Sequence, residues 1–241
     1  MTIILVVGTF AIVQSLFGVG LLLFGTPTLL LLGYPFTDTL AILLPASLAV
    51  SLLQLWKAPE IDRGFVAQFL IWCLIPLAVG LALVLVLHLQ TSLNLVIAIV
   101  LAMFVVLRAT PNLTEKSRRW VFQNQRLWLV LMGVAHGLSN LGGGLLTILA
   151  ASLYRDKERI RHLVAICYAC FATIQLAMLA MLSPDVFAWT QLVYAMTSAV
   201  VFLAIGRHVF LWVSAPIFHH FFTILMASYA ILLTLRAFSL F

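Results

Sequence analysis

Charged residues are scarce in this sequence of 241 residues, of which 8% are charged and 64% are hydrophobic. A chain with so little polar surface cannot cover a water-soluble globule, so we expect an integral membrane protein without a separate soluble domain. The net charge of +6 does not indicate nucleic-acid binding, because the cations lie between apolar runs and report membrane orientation. The lipid bilayer is therefore the expected surrounding, and nucleic acid is not an expected partner.

Acidic residues are absent from the apolar runs. All seven lie in loops or at segment edges, at Asp38, Glu60, Asp62, Glu115, Asp156, Glu158 and Asp185. Cation paths and proton relays in membranes use intramembrane carboxylates, so this distribution argues against a cation transporter. The sequence also lacks paired carboxylates, a nucleophile beside a base, a phosphate-binding loop and a metal-ligand cluster. We therefore expect no enzyme activity, no cofactor and no metal.

Cysteine is rare as well, and the three cysteines lie in apolar segments where no disulfide framework is indicated. Cys167 and Cys170 nevertheless form a C-x-x-C pattern, so a membrane thiol-redox or assembly factor is the alternative function. One turn of a buried helix lacks the exposed helix start that favours a reactive thiolate. The redox interpretation is therefore the weaker one.

Two glycine-rich stretches, residues 17–28 and 136–147, interrupt the apolar runs. Glycine and proline disfavour a long straight helix, so we expect the backbone to break in both places. The charge-free run that holds the first stretch, residues 2–34, would measure about 50 Å as one helix, too long for a ~30 Å hydrocarbon core. It is also short for two full crossings. A hairpin of two shortened helices, which either crosses twice or re-enters, satisfies both limits.

The segment order predicts an all-α polytopic membrane protein of two inverted repeats, each a broken hairpin plus three transmembrane helices. The first repeat, residues 1–110, has its hairpin at 2–34 and crossings at 39–56, 65–87 and 93–107. A polar cytoplasmic connector, residues 108–126, leads to the second repeat, residues 127–241, with its hairpin at 127–153 and crossings at 163–182, 186–205 and 216–235. Glycines recur 119 positions apart, Gly18 with Gly137 and Gly25 with Gly144, which favours a repeat.

This topology divides the cations unevenly between the two membrane faces. Arg236 lies alone on one face, and twelve cations lie on the other: Lys57, Arg63, Arg108, Lys116, Arg118, Arg119, Arg126, Arg155, Lys157, Arg159, Arg161 and Arg207. Cytoplasmic loops carry the excess of Lys and Arg, so the cation-rich face is predicted to be cytoplasmic. Both termini are then on the non-cytoplasmic side of the plasma (inner) membrane.

The first glycine-rich stretch with Gly33-Tyr34-Pro35, and Gly137-Leu-Ser-Asn-Leu-Gly-Gly-Gly144 in the second half, resemble the TauE/SafE family of sulfite and organosulfonate exporter-like transporters. The resemblance covers nearly the whole chain. The chain departs from the family's adjacent glycines in its first half, where Leu-Leu-Leu-Phe separates Gly20 from Gly25. The resemblance implies secondary transport, or facilitated movement, of a small sulfur-containing anion, either sulfite or an organosulfonate.

Helix breaks suggest where such an anion would bind. A break exposes backbone N–H groups at the positive end of the next half-helix, and glycine lets the backbone approach a ligand. Polar side chains near the breaks add donors. The expected substrate-binding residues are Gly18, Gly20, Gly25, Thr26, Thr28, Ser51, Gln54, His136, Ser139, Asn140, Gly142, Gly143, Gly144 and Gln175. The alternative is that these small and polar residues serve close helix packing and interhelical hydrogen bonds.

Two further patterns refine the expected site. Ser47, Ser51 and Gln54 follow i, i+4, i+7 spacing and share one helix face, which could line a permeation path. His136 precedes the second glycine-rich stretch and is the candidate for a proton-linked group, since imidazole changes charge near neutral pH. Protons are therefore a candidate coupling ion, and a purely structural histidine is the competing interpretation.

Overall fold

The structure, a computed structural model, describes residues 1–56, 63–87, 93–109, 116, 119–209 and 215–238. These residues form helices joined by short connections. The helices are α1 (Thr2–Phe17), α2 (Leu21–Leu31), α3 (Phe36–Leu55), α4 (Arg63–Phe69, a π-helical turn at Leu70–Leu74, and Ile75–Val86), α5 (Leu93–Ala109), α6 (Gln125–Ser139), α7 (Gly143–Leu153), α8 (Lys157–Leu182), α9 (Thr190–Val201, a π-helical turn at Phe202–Gly206, and Arg207–Val209) and α10 (Ala215–Ala237). Part of the predicted connector, residues 110–115, 117 and 118, lies outside the described residues.

Three helices in the described part of the chain are long and apolar enough to cross a membrane. They are Phe36–Leu55, Gly64–Val86 and Lys157–Leu182, and shorter apolar helices accompany them. The expectation of an all-α integral membrane protein is confirmed.

Each glycine-rich stretch folds into a hairpin of two short helices. The first hairpin consists of α1 and α2, of 16 and 11 residues, and the second of α6 and α7, of 15 and 11 residues. At ~1.5 Å per residue, 11 residues span about 16 Å, roughly half of the hydrocarbon core. The predicted helix breaks are therefore confirmed, at residues 18–20 (the first break) and 140–142 (the second break).

Both hairpins double back on themselves. In the first, the ring of Phe10 on α1 packs against Phe24 on α2 with centroids 6.0 Å apart. In the second, Nε1 of Trp128 on α6 donates to the backbone oxygen of Leu145 on α7 at 3.1 Å. The outer ends of the second hairpin, near residues 119–123 and 151–155, line one open cavity of about 670 Å³ that contains Arg119 and Arg155. The two ends of this hairpin thus lie on the same cation-bearing side.

A left-handed residue ends the first helix of each hairpin. Gly18 has φ 73° and Asn140 has φ 62°, and the amide of each bonds to the carbonyl four residues earlier. Glycine adopts this conformation freely and asparagine tolerates it best among the other residues. Gly18 and Asn140 thus hold the same place in their hairpins, which differs from the pairing of Gly18 with Gly137 that the 119-residue spacing suggests. Gly137 instead lies inside α6.

Helix α8 begins earlier in the sequence than expected. The Asp156 side chain accepts a hydrogen bond from the amide of Arg159 at 2.9 Å and caps the helix. The helix consequently begins at Lys157, earlier than the crossing expected at residues 163–182. Arg161 then lies within α8, where its backbone oxygen approaches Gly18 of the first break.

The helices of the two halves pack in a reciprocal pattern. Helix α3 packs along α8, and α5 packs along α10. Helix α4 of the first half packs on α6 of the second, while α9 of the second half packs on α1 of the first. Each hairpin therefore lies between helices contributed by both halves, which puts its break inside the protein and away from lipid.

Candidate functional site

The ring of His136 closes the turn at the second break. Its Nδ1 accepts a hydrogen bond from the amide of Gly142 at 3.0 Å, and its Nε2 lies 3.2 Å from Oε1 of Gln175 on α8. The ring also stacks on Phe171 with centroids 4.0 Å apart, and His136 is fully buried. The imidazole thus positions the start of α7 against α8.

These contacts fix the orientation of the Gln175 amide. Because Nδ1 of His136 accepts from Gly142, a neutral ring carries its proton on Nε2, which donates to Oε1 of Gln175. The amide nitrogen of Gln175 then points away from the ring and has no hydrogen-bond partner among the described residues. Gln175 is fully buried, so it holds an unused donor inside the protein.

The hydroxyl of Tyr168 lies against the first residue of α7. Tyr168 stands seven positions before Gln175, two turns away on the same face of α8. Its Oη packs so closely on Gly143 that any Cβ there would overlap it. Tyr168 is fully buried, and Oη has no hydrogen-bond partner among the residues that the structure describes. Tyr168 thus brings an unused donor to the first residue of α7, and Gln175 carries a second one on the amide that bonds to His136.

The first N–H groups of a helix have no acceptor within it, and two backbone amides at the start of α7 find partners nearby. The amide of Gly142 is taken by His136, and that of Gly144 reaches the oxygen of Leu141 at 3.3 Å. The positive end of the α7 dipole points the same way. The second break therefore combines a favourable potential for anions with neutral donors.

Two polar residues of the second break already use their donors. The hydroxyl of Ser139 donates to the oxygen of Ala135 at 2.6 Å and accepts from the amide of Leu141 at 3.3 Å. The Nδ2 of Asn140 donates to Oγ1 of Thr26 on α2 at 2.9 Å, whereas its Oδ1 has no partner among the described residues. Ser139 and Asn140 thus hold the turn and join the two hairpins, which occupies the hydroxyl of Ser139 and one of the two N–H groups on Nδ2 of Asn140.

Gln14 organises the first break and was missed by the sequence reasoning. Its Nε2 donates to the backbone oxygen of Ser47 at 3.0 Å and to Oγ of Ser51 at 3.2 Å. Its Oε1 accepts from Oγ of Ser47 at 3.1 Å and from the amide of Leu21 at 3.3 Å. Ser47 and Ser51 are fully buried, so they tie α3 to the hairpin.

Gln54 completes this network. Its unused atom is a hydrogen-bond acceptor, whereas the unused atom of Gln175 is a donor. Its Nε2 donates to the backbone oxygens of Gln14 at 3.0 Å and Ser15 at 3.4 Å. The atom left without a partner among the described residues is Oε1, an acceptor. The first break therefore leaves only an acceptor unused among these side chains, whereas the second leaves the donors of Tyr168 and Gln175 as well as the acceptor Oδ1 of Asn140. An anion suits the second break better because, among the described side chains at the two breaks, only those of the second offer unused donors.

Several predicted site residues pack against neighbouring helices. A Cβ added at the glycines would contact Val164 at Gly18, the backbone of Phe10 and Gln14 at Gly20, Leu43 at Gly25 and Phe104 at Gly144. Oγ1 of Thr28 donates to the oxygen of Phe24 and lies 2.6 Å from Oη of Tyr229. Gly25 and Thr28 thus make contacts along α2 that serve packing, whereas Thr26 between them bonds to the second break.

Arg236, the cation expected to lie alone on one membrane face, binds the C-terminal end of α2. Nη1 of Arg236 donates to the backbone oxygens of Leu30 and Leu31 at 2.7 and 2.5 Å. A cation at a helix C-terminus satisfies its last carbonyls and complements the dipole. Together with Tyr229, Arg236 holds the second arm of the first hairpin on α10.

Gln14 and Tyr168 are the two polar residues that the sequence analysis overlooked, and the sequence contains a signal for only one of them. Gln14 is a lone amide four residues before Gly18, as His136 is four residues before Asn140, so the matched spacing was a usable signal. Tyr168 gave none, because a tyrosine inside a C-x-x-C pattern on an apolar helix resembles ordinary core.

The geometry describes a buried, uncharged cluster of donors at a helix start inside a membrane protein built around two broken hairpins. No curated protein and no solved structure gives a significant match to this chain. The model of the family described as sulfite exporter TauE/SafE matches residues 3–233, nearly the whole chain. Members of this family are membrane transporters, and this chain belongs to the TauE/SafE sulfite exporter family.

Proposed function

We propose that this protein is a secondary transporter or facilitator that moves a small sulfur-containing anion, sulfite or an organosulfonate, across the plasma membrane. The observation that carries the proposal is the unused buried hydroxyl of Tyr168, which lies against Gly143 at the positive start of α7. A second unused donor, Nε2 of Gln175, belongs to the amide that bonds to His136. Family membership supports the class of substrate. The anion binds at the second break, and the first break supports the opposite side of the path.

Transport proceeds by alternating access between two inverted halves. Residues at the second break are fully buried, including His136, Asn140 and Tyr168, so an anion reaches them only after helices move apart. The reciprocal packing supports a two-fold relation between the two halves. Three helices follow each hairpin, so the second half begins on the opposite side of the membrane from the first and is inverted relative to it. The cation-rich side faces the cytoplasm and both termini face away from it.

Reconstituted flux tests this proposal directly. We expect proteoliposomes containing the protein to take up labelled sulfite or methanesulfonate faster than protein-free liposomes, with saturation at high substrate concentration. The Thr173→Ala variant serves as a control, because Thr173 is exposed on α8 and bonds only to the oxygen of Ala169 within its own helix. Flux equal to that of empty liposomes for the whole panel of sulfur anions would refute the proposed function.

Proton coupling forms a finer part of the proposal and rests on His136. A proton added to Nδ1 removes the acceptor for the Gly142 amide and adds a positive charge beside the anion. Imposed pH gradients should then change the rate of methanesulfonate flux in the parent protein. They should have a smaller effect in His136→Asn, whose side-chain oxygen can accept from Gly142 without titrating. An equal response of the two proteins would contradict coupling through His136.

The alternative thiol function predicts a different mutational result. Cys167 is buried and Cys170 is half-buried, and both thiols are free in the structure. Replacing both with alanine should leave sulfur-anion flux within about twofold of the parent, because neither thiol contributes to the donor cluster. Flux can be compared per amount of monodisperse reconstituted protein. Loss of flux in a folded double variant would favour the thiol function.

A further inference from the structure

Every donor at the second break is electrically neutral. Tyr168 contributes a hydroxyl and Gln175 an amide nitrogen, and the start of α7 contributes the positive end of its dipole. The cluster is built without an arginine or lysine, the side chains that proteins commonly use to bind anions tightly. Its positive potential comes from the helix start, equivalent to roughly half an elementary charge.

The charged residues nearest to the second break on α6 and α8 lie about two or more helical turns from it along the helix axis. On α8, Arg161 precedes Tyr168 by seven positions, about 10 Å at ~1.5 Å per residue. On α6, Arg126 precedes His136 by ten positions, about 15 Å along the axis. The other titratable residues on α4, α5, α6 and α8 are Arg63, Cys73, Arg108, His136, Lys157, Glu158, Arg159, His162, Cys167, Tyr168 and Cys170. Both ring nitrogens of His136 are already in hydrogen bonds.

The rest of the surroundings are apolar. Phe104 packs on Gly144, Phe171 stacks on His136, and Leu141 is fully buried within the break. These side chains suit an alkyl or other apolar substituent better than additional charged oxygens. Burying charge in such surroundings is costly unless it is paired, and the cost rises steeply with the charge of the ion.

From this charge balance we propose that the second break selects monoanionic oxyanions, such as alkyl sulfonates and hydrogensulfite, over dianions such as sulfate. The inference rests on the proposed function and narrows its substrate class. A monoanion is offset by the α7 dipole and by the donors of Tyr168 and Gln175, whereas a second negative charge finds no cation within the cluster. An alkyl group on the sulfur lies against Phe104 and Phe171.

Binding to the purified full-length protein tests the selectivity with three probes. Methanesulfonate is a monoanion at every working pH, sulfate is a dianion, and inorganic phosphate changes from monoanion to dianion near neutral pH. We expect methanesulfonate to bind on the order of 100-fold more tightly than sulfate. Phosphate affinity, divided by methanesulfonate affinity at the same pH, should fall between pH 5.5 and pH 8. Because both affinities are measured at the same pH, any effect of protein titration on anion affinity cancels in the ratio.

Variants of the donors identify the site that produces the selectivity. Tyr168→Phe and Gln175→Leu should each weaken methanesulfonate binding by about tenfold or more, and Thr173→Ala should leave it unchanged. Equal affinity for methanesulfonate and sulfate, or parent-like binding in both donor variants, would overturn this inference while leaving anion transport intact. If none of the sulfur anions binds and none is transported, the proposed function fails together with the inference.

Discussion

Replacing Gly143 with alanine should weaken methanesulfonate binding by at least about tenfold and reduce flux in parallel. The added Cβ would overlap Oη of Tyr168, so the hydroxyl must leave the start of α7. Losing a hydrogen bond to a charged group costs ~1.5–3 kcal/mol, which corresponds to about 10-fold to 100-fold in affinity. Isothermal titration on purified protein would measure the affinity, and proteoliposome uptake the flux.

A double variant separates the steric effect from the lost donor. Tyr168→Phe removes the overlapping oxygen, so Gly143→Ala with Tyr168→Phe should recover much of any lost thermal stability without recovering affinity. Gly8→Ala is the matched control, because its Cβ would meet only Cγ2 of Val201 at an ordinary 3.8 Å. Binding by Gly143→Ala that equals the parent's would contradict the site assignment.

The apolar pattern and the glycines were sufficient to predict the helical hairpins. Residues 2–34 are too long for one crossing and lack charge, and the structure breaks the run after Phe17, as the glycines indicate. The half-membrane length of α2 and α7 follows from the positions of the breaks. This part of the fold depends on local backbone preferences, which a single sequence contains.

The register of the repeat could not be predicted by matching residue types. Gly18 and Asn140 share a left-handed conformation although one is glycine and the other asparagine. Gly137, the apparent glycine counterpart, is instead a packing position. Sequence letters do not distinguish a glycine needed for φ from one needed for close approach, because both uses require the missing Cβ.

The sequence also did not show whether the site offers unused hydrogen-bond donors or unused acceptors. Gln54 and Gln175 occupy similar positions in their halves, yet one leaves an oxygen unused and the other a nitrogen. The difference arises because Gln54 faces backbone carbonyls and Gln175 faces a protonated ring nitrogen. Only the three-dimensional partners decide which end of an amide remains available.

Replacing Gly137 with alanine should destabilise the protein by about 1–3 kcal/mol while leaving anion affinity unchanged. Gly137 on α6 faces α4, where an added Cβ would overlap the backbone oxygen of Leu77 and come within 3.0 Å of the amide nitrogen of Leu81. Gly133, one turn earlier, meets the backbone oxygen of Cys73 in the same way. These small residues let the two helix backbones approach closely, and backbone atoms cannot move aside as a flexible side chain can.

Thermal unfolding of detergent-solubilised protein would measure this effect, with Gly8→Ala again as the control. Alanine favours a helix over glycine by about 1 kcal/mol, so Gly8→Ala should unfold at the parent temperature or slightly higher. Gly137→Ala should unfold at a lower temperature despite that gain, because separating α6 from α4 outweighs it. Methanesulfonate affinity, measured below the unfolding transition, should match the parent's. A Gly137→Ala variant with normal stability and lost affinity would assign Gly137 to the anion site and contradict its role in helix packing.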